Sequence, residues 1–199
     1  GDGMGLKLKT PPAGEAITLE QAKAHLRVSH DNDDTYISHL IGTARRHAEQ
    51  YLNRSIVQQT WTLTLDDWPG FPFVLPMPPL ILINHVKYTD SSGAEVVIDP
   101  SEYTVDLNNG RIFCNPPSVS LAVINGLEIE YVAGYEPDES GETIDYGANV
   151  PDDIKHAMLL LIGHWYENRE EVATDVRNPG TPLPKAADAL LNMYRVWPI

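Results

Sequence analysis

A single cysteine, Cys114, stands in the 199 residues, so no disulfide can form within the chain. A lone thiol fits a reducing compartment. At this length roughly 70% of the unfolded chain's surface can be buried, so neither a cross-link nor a metal is needed to hold a core. The chain is one domain, or one domain with an insertion. Basic residues are scarce: 14 Lys and Arg against 28 Asp and Glu give a net charge of −14. Nucleic-acid affinity rests largely on Lys and Arg releasing counterions from phosphates, so this composition makes a poor candidate for a protein that grips DNA. It suits solubility, and passage beside DNA without sticking. Long apolar runs are also missing. The unbroken stretch Ala157–Ile162 has six residues, against ~20 for a membrane span. The first residues, GDGMGLKLKTPPAGEA, lack the apolar region of a secretion signal. Gly1 reads as a processed end, outside the fold reasoning.

Catalytic signatures are lacking too. The chain has no G-x-S-x-G elbow, no phosphate-cradling glycine loop and no H-E-x-x-H. Cys114 has no base named by the sequence and reads as a buried structural thiol. Seven histidines are present, but His39 and His47, like His156 and His164, are eight residues apart, about two helical turns. Zinc ligands on a helix want i and i+4 spacing or a compact cluster, so no metal and no cofactor is expected. Asp31 and Asp33 alternate as in a calcium loop, yet the turn glycine and the twelfth-position acid are absent. The acidic run Ser29–Asp34 is expected to end one helix and cap the next. These absences point away from an enzyme and towards a binding or assembly protein.

What is present is organised around VPDDIKHAMLLLIGHWYENREE, residues 150–171. Pro151 suits a first helical position, and Asp152 and Asp153 complement the positive end of the helix dipole. Ile154, Ala157, Met158, Leu161 and Trp165 share one face at helical spacing. Leu159, Leu160 and Ile162 fill much of the rest, so the helix is expected to be central. Glu167, Glu170 and Glu171 with Arg169 close it in a charged cluster of the kind that forms ion pairs or lines subunit contacts.

Upstream, Thr18 and Gln21 form a capping-box pattern for a helix from Leu19 to about Val28. Asp34–Asn53 carries a continuous stripe of Ile37, Leu40, Ile41, Ala44, Ala48, Tyr51 and Leu52. Thr43, Arg45, Arg46, Glu49 and Gln50 fall outside it. This helix is expected to pack on the one after Val150. From Ile56 the period becomes two: Trp61, Leu63 and Leu65 alternate with threonines, as in a half-buried strand. Five prolines then fall between Pro69 and Pro79, which excludes a central strand. Strands follow at Leu80–Thr89, Glu95–Ile98, Tyr103–Leu107, Arg111–Cys114 and Leu121–Val132. Asn109-Gly110 favours a hairpin turn. The 134–149 loop is acidic, 172–182 is a linker with Asn178-Pro179-Gly180, and Lys185 to about Arg195 is a last helix before the apolar tip Trp197-Pro198-Ile199.

The fold class is therefore α+β: a helical bundle core of about four helices, with an antiparallel β block inserted between the second and third. The expected divisions are a flexible lead at 1–16, a helical core of 17–55 and 150–199, a β-rich insertion at 56–133 and an acidic loop at 134–149.

Four stretches carry a family resemblance: LTLEQAKAHLRVSHDNDDTYISHLIGTARRHAEQYLNRSIVQQTW with its Tyr51-x-x-Arg54 element, LPMPPLILINHVKYTDSSG, IEYVAGY and VPDDIKHAMLLLIGHWYENRE. The chain resembles the head–tail connector (adaptor) proteins of tailed bacteriophages, in the longer form that carries a β insertion. His164–Arg169 is the most specific match, and the likeness runs from about Ile17 to Trp197. It implies a structural, non-enzymatic virion protein of the neck, present in the host cytoplasm during assembly. In the virion such proteins form a ring, dodecameric, under the portal. They extend the DNA channel and dock the stopper and tail. The implied partners are further copies of the chain, the portal protein and the stopper, with DNA passing unbound and no membrane. Candidate interface residues are Trp165, Tyr166, Arg169, Tyr194 and Trp197, with the segment from Arg169 onward expected to reach the portal. The rival expectation is a peptide- or small-molecule-binding module using the Pro/aromatic loop 68–79, with Trp68, Phe71 and Phe73; an enzyme built on Cys114 ranks below it.

Overall fold

The computed structural model describes residues 3–168 and 184–197. The chain divides into two compact units, Gly1–Ala13 with Gln58–Tyr135, and Gly14–Val57 with Glu136–Ile199.

The first unit is a β sandwich. Its larger sheet has the order β1 (Met4–Thr10), β2 (Gln59–Leu65), β8 (Leu127–Ala133), β4 (Leu80–Thr89), β5 (Glu95–Ile98). Every neighbouring pair in it is antiparallel. The smaller sheet is β3 (Phe73–Val74), β7 (Arg111–Cys114), β6 (Tyr103–Asp106). Alternation fixes which side chains point inward. Leu63, Ile129 and Val86 lie side by side across β2, β8 and β4, and all three are buried. Leu75, Ile112, Cys114, Leu127 and Tyr131 complete the core. Gly110 makes the β6–β7 turn at a φ of 62°, a conformation glycine adopts without steric cost. Trp68, Phe71 and Phe73 pack against this core, and the Trp68 and Tyr88 rings lie 5.6 Å apart. The proline-rich loop thus turns its aromatic side chains inward.

The second unit holds α1 (Leu19–Leu26), α2 (Asp34–Leu52), α3 (Asp152–Glu167) and α4 (Lys185–Asn192). The capping box on α1 forms as expected, with the Gln21 N–H donating to Thr18 Oγ1 and the Gln21 side chain accepting from the Thr18 N–H. The α2 stripe Ile37, Leu40, Ile41, Ala44, Ala48 and Leu52 is buried, as are Ile154, Ala157, Met158, Leu161 and Ile162 of α3. α3 packs on α1, α2 and α4, so it is the central helix of its unit. Its Leu159 and Leu160 are only half-buried. The acidic loop closes on itself through paired backbone bonds between Asp138 and Asp145. It lies against the start of the unit so closely that a Cβ on Gly147 would meet the Ala16 carbonyl oxygen at 2.2 Å.

The architecture is the expected one: among the described residues, four helices in this order, with an antiparallel β block between α2 and α3 in the chain. Four local expectations need correction. The 1–16 lead is not loose throughout, because Met4–Thr10 pairs with β2 as an edge strand; its Leu6 stands opposite Leu63 and its Leu8 opposite Trp61. Residues 121–126 are outside the last strand, which starts at Leu127; there the backbone turns, with the Asn125 N–H held by Asp66 Oδ1 at 2.7 Å. The acidic run before α2 makes no side-chain cap. Lys23 draws away Asp31 and Asp34, each 2.7 Å from its Nζ, and Asp33 accepts from the Tyr166 hydroxyl at 2.6 Å. Arg45 and Glu49, outside the apolar stripe, are 7% and 6% exposed. They escape the usual penalty for buried charge by pairing.

Candidate interface at the C-terminal clasp

Helix α2 ends at Asn53, whose left-handed backbone (φ 52°) turns the chain away. The last carbonyls of any helix lack intrahelical donors. One of these, on Leu52, accepts the Val196 N–H at 2.8 Å. Asn53 Nδ2 donates back to the Val196 carbonyl at 3.0 Å, and Arg54 Nε to the Tyr194 carbonyl at 2.9 Å. The Tyr51 hydroxyl bonds Asn192 Oδ1 at 2.8 Å. Four consecutive residues, Tyr51–Arg54, thus clasp the end of α4 and the segment that follows it. The Arg195 guanidinium lies 5.0 Å from the Tyr51 ring centre and 4.4 Å from that of Trp197, a doubled cation–π contact. Trp197 is 66% exposed and Met193 is also open to solvent. The indole is thus held against a guanidinium with most of its surface in water.

The remaining candidate residues sit elsewhere in this unit. Trp165 and Tyr166 belong to the α2–α3 contact. The Trp165 carbonyl accepts the Tyr36 hydroxyl at 3.3 Å, and its ring meets that of His47 edge-on at 5.9 Å. Tyr166 stacks obliquely on Tyr36 at 6.1 Å while its hydroxyl reaches Asp33. The Tyr194 hydroxyl donates to Asp153 Oδ2 at 3.0 Å, tying the end of α4 to the start of α3. Arg169 lies outside the described residues. The structure therefore brings Tyr194 and Trp197 together at the clasp and places Trp165 and Tyr166 between helices. Tyr51 and Arg54 were visible in sequence as a motif; their role as the clasp was not, since it needs α2 and the chain end side by side.

Arg45 carries the unit's main buried charge. Its Nε donates to Glu15 Oε2 at 2.7 Å and its Nη1 to Glu49 Oε2 at 2.8 Å, while the Ile56 N–H donates to Glu49 Oε1 at 3.0 Å. Burial pulls the guanidinium's pKa down, but the bonds to Glu15 and the charge of Glu49 outweigh it and raise it. An open cleft of about 500 Å³ beside it is lined by Glu15, Ile17, Thr18, Ser38, Asp145 and Tyr146. Cys114 is 2% exposed, and burial, then the charge of Glu102, push its thiol up. A thiol kept protonated is a poor nucleophile. Among the described residues, no three His, Cys, Asp or Glu side chains gather as a metal would require, and no helix is long and apolar enough to cross a membrane.

A family model described as head completion protein matches residues 15–197. The chain belongs to that family, and it is a structural protein of the connection between phage head and tail. The fold recurs in chains of gene transfer agent (GTA) particles. One, from the neck of an empty particle computed with C6 symmetry, is 19% identical over 98% of this chain and 97% of its own, with a TM-score of 0.71. A second, from a native particle's neck computed with C12 symmetry, gives 19%, the same coverage and 0.72. A third, from the virion of a native particle, is 20% identical over 98% and 96%, with a TM-score of 0.70. No curated protein matches the chain significantly.

Proposed function

We propose that the chain assembles into a ring in the neck of a virion, extends the DNA channel below the portal, and docks the stopper and tail without catalysing a reaction. The observation that carries this reading is end-to-end likeness. The head completion family spans residues 15–197, and the GTA neck chains align over 98% of the sequence, helical unit and β sandwich alike. Those necks were computed with C6 and C12 symmetry; carried to this chain, that is a ring of identical copies, with twelve the expected number. The net charge of −14 suits a wall along which DNA must slide without adhering.

The portal contact belongs to the segment from Arg169 onward, ending in the exposed Trp197 of the clasp. Light scattering over a concentration series, with and without portal protein, tests the whole reading. A ring, alone or on portal addition, is the expected result; a monomer indifferent to portal overturns it. Truncation after Arg169 is expected to abolish portal binding, and a truncated chain that binds normally removes the C-terminal contact from the reading.

A further inference from the structure

We propose that the larger sheet runs on from one copy to the next around the ring, the β1 edge of each copy pairing with the β5 edge of its neighbour. This rests on the ring reading above. Strands β1 and β5 are the two ends of the five-stranded order, so each presents a row of backbone donors and acceptors with no strand beside it among the described residues. Edges are commonly blunted by proline, yet Met4–Thr10 and Glu95–Ile98 contain none. A ring of identical copies needs two different, complementary patches on each copy, and two unlike edges of one sheet meet that requirement. Four antiparallel steps separate them, so β1 and β5 run in the same direction. Rotation about an axis along the strands then sets them side by side in parallel.

The faces also match. On the core side, β1 carries Met4, Leu6 and Leu8, all exposed although they face inward, and β5 carries the exposed Val96 beside the buried Ile98. On the outer side, β1 carries Lys7 and Lys9, and β5 carries Glu95 and Val97. In the parallel register that sets Leu8 beside Val96, Lys7 falls beside Glu95, so apolar meets apolar and lysine meets glutamate. Charge distribution favours the same union. The MGLKLKT strand holds two lysines and no acid in a chain of net charge −14, while Asp90, Glu95, Asp99 and Glu102 surround β5. Lys9 already pairs with Glu130 and Glu95 lies 3.7 Å from Lys87, whereas Lys7 stands exposed at the centre of its edge.

The test uses the full chain with portal protein, in a Cys114→Ser background that removes the native thiol. Mild oxidation of Leu8→Cys/Val96→Cys, the register that also sets Lys7 beside Glu95, with Leu6→Cys/Val96→Cys to cover the neighbouring register, is expected to give a ladder of covalent oligomers, because residues side by side on adjacent strands are within disulfide reach. Independently, Lys7→Glu or Glu95→Lys should lower ring yield roughly two- to fivefold per contact, the range of exposed ion pairs. The double exchange should restore it. Lys7→Glu is the cleaner arm, because Lys7 is exposed and the monomer's melting temperature should not move, whereas Glu95→Lys also gives up the contact with Lys87. A ring that forms without a ladder and tolerates both reversals overturns the shared sheet and leaves the ring reading intact. Dimers from Leu6→Cys alone overturn it in favour of a β1–β1 contact. Failure of the unmodified chain to form any ring with portal overturns the ring reading, and this inference with it.

Discussion

The β sandwich and the helical unit place their polar bonds in opposite ways. In the sandwich the core is built mainly of aliphatic side chains, and the largest buried polar side chain, Tyr131, sends its hydroxyl to a backbone carbonyl, that of Pro76 at 2.8 Å. Its charges are gathered on the other face of the larger sheet, where the half-buried Glu128 pairs with His85 and Lys87, and Glu130, 8% exposed, with Lys9 and Asn84. In the helical unit the polar bonds are internal ties: Arg45 to Glu15 and Glu49, Tyr166 to Asp33, Tyr194 to Asp153. A sheet is knit by its own ladder and can leave side-chain polarity outside. Short helices make no backbone bonds to each other, so their side chains must supply the orientation as well as the apolar contact. The sandwich should therefore respond most to lost volume and to acid, the helical unit to lost pairing.

The largest expected effect tests that contrast directly. Arg45→Ala removes the cation paired with the buried Glu49 carboxylate, and removing one partner of a buried pair costs about 3–5 kcal/mol. Urea unfolding followed by hydrogen exchange should find that loss in the helical unit, and a loss below about 1 kcal/mol would mean that the cluster behaves as a surface pair. Next comes Leu63→Ala in the sandwich core, where lost burial and the remaining cavity cost about 2–5 kcal/mol. Tyr166→Phe removes a single hydrogen bond to a carboxylate, worth about 1.5–3 kcal/mol at most and less at this half-buried position. An equal loss from Tyr166→Phe and from Leu63→Ala would erase the distinction between the two units.

Acid offers a way to sharpen it. Among the described residues, five lowered carboxyls belong to the sandwich: Asp90, Asp99, Asp106, Glu128 and Glu130. Asp106 is held furthest, from 3.8 to about 2, by its bonds to Arg111 and Asn109. Glu128 and Glu130 are lowered although burial alone would raise them, because His85 and Lys87, and Lys9 and Asn84, bond the charged form. A carboxyl depressed in the folded state contributes stability that is present above its unfolded value and lost as the pH falls through its folded value. The helical unit shows two lowered carboxyls, Asp31 and Asp138. Hydrogen exchange from about pH 4 down to about pH 2 should therefore show protection falling faster in β6–β7 and β8 than in α2 and α3.

The same contrast explains what could be read from sequence. Periodicity exposed the α2 stripe and the Trp61–Leu63–Leu65 alternation because burial of one face is a local pattern. The Leu80–Thr89 and Glu95–Ile98 strands and the Thr18 capping box were legible for the same reason. Edge strand β1 was not: MGLKLKT alternates correctly, but it is short, and its partner is more than fifty residues away. The acids before α2 carry a capping signature, and only the fold shows that Lys23 and Tyr166 compete for them. The internal ties were equally hidden, since an arginine outside an apolar stripe looks solvent-facing until Glu15 arrives from thirty residues upstream. Of the candidate site, the chemistry of Trp197 was readable and the Tyr51–Arg54 clasp that holds it was not.

The smallest effect on stability is expected at that clasp, and it separates folding from function. Trp197 is mostly in solvent, so Trp197→Ala should alter unfolding by no more than about 0.5 kcal/mol, with only the contact to Arg195 lost on the protein's own side. An exposed, pre-ordered indole that reaches a partner typically contributes about 2 kcal/mol or more to binding. Portal affinity, measured by titration, should then weaken roughly 30-fold while the melting temperature stays put. Arg54→Ala provides the counterpart, because it releases the Tyr194 carbonyl and loosens the segment without removing any exposed group. Weakened portal binding in both variants would make the ordered indole the contact. Loss with Arg54→Ala alone would mean that the clasp serves the position of α4, with the portal surface lying elsewhere on the helical unit.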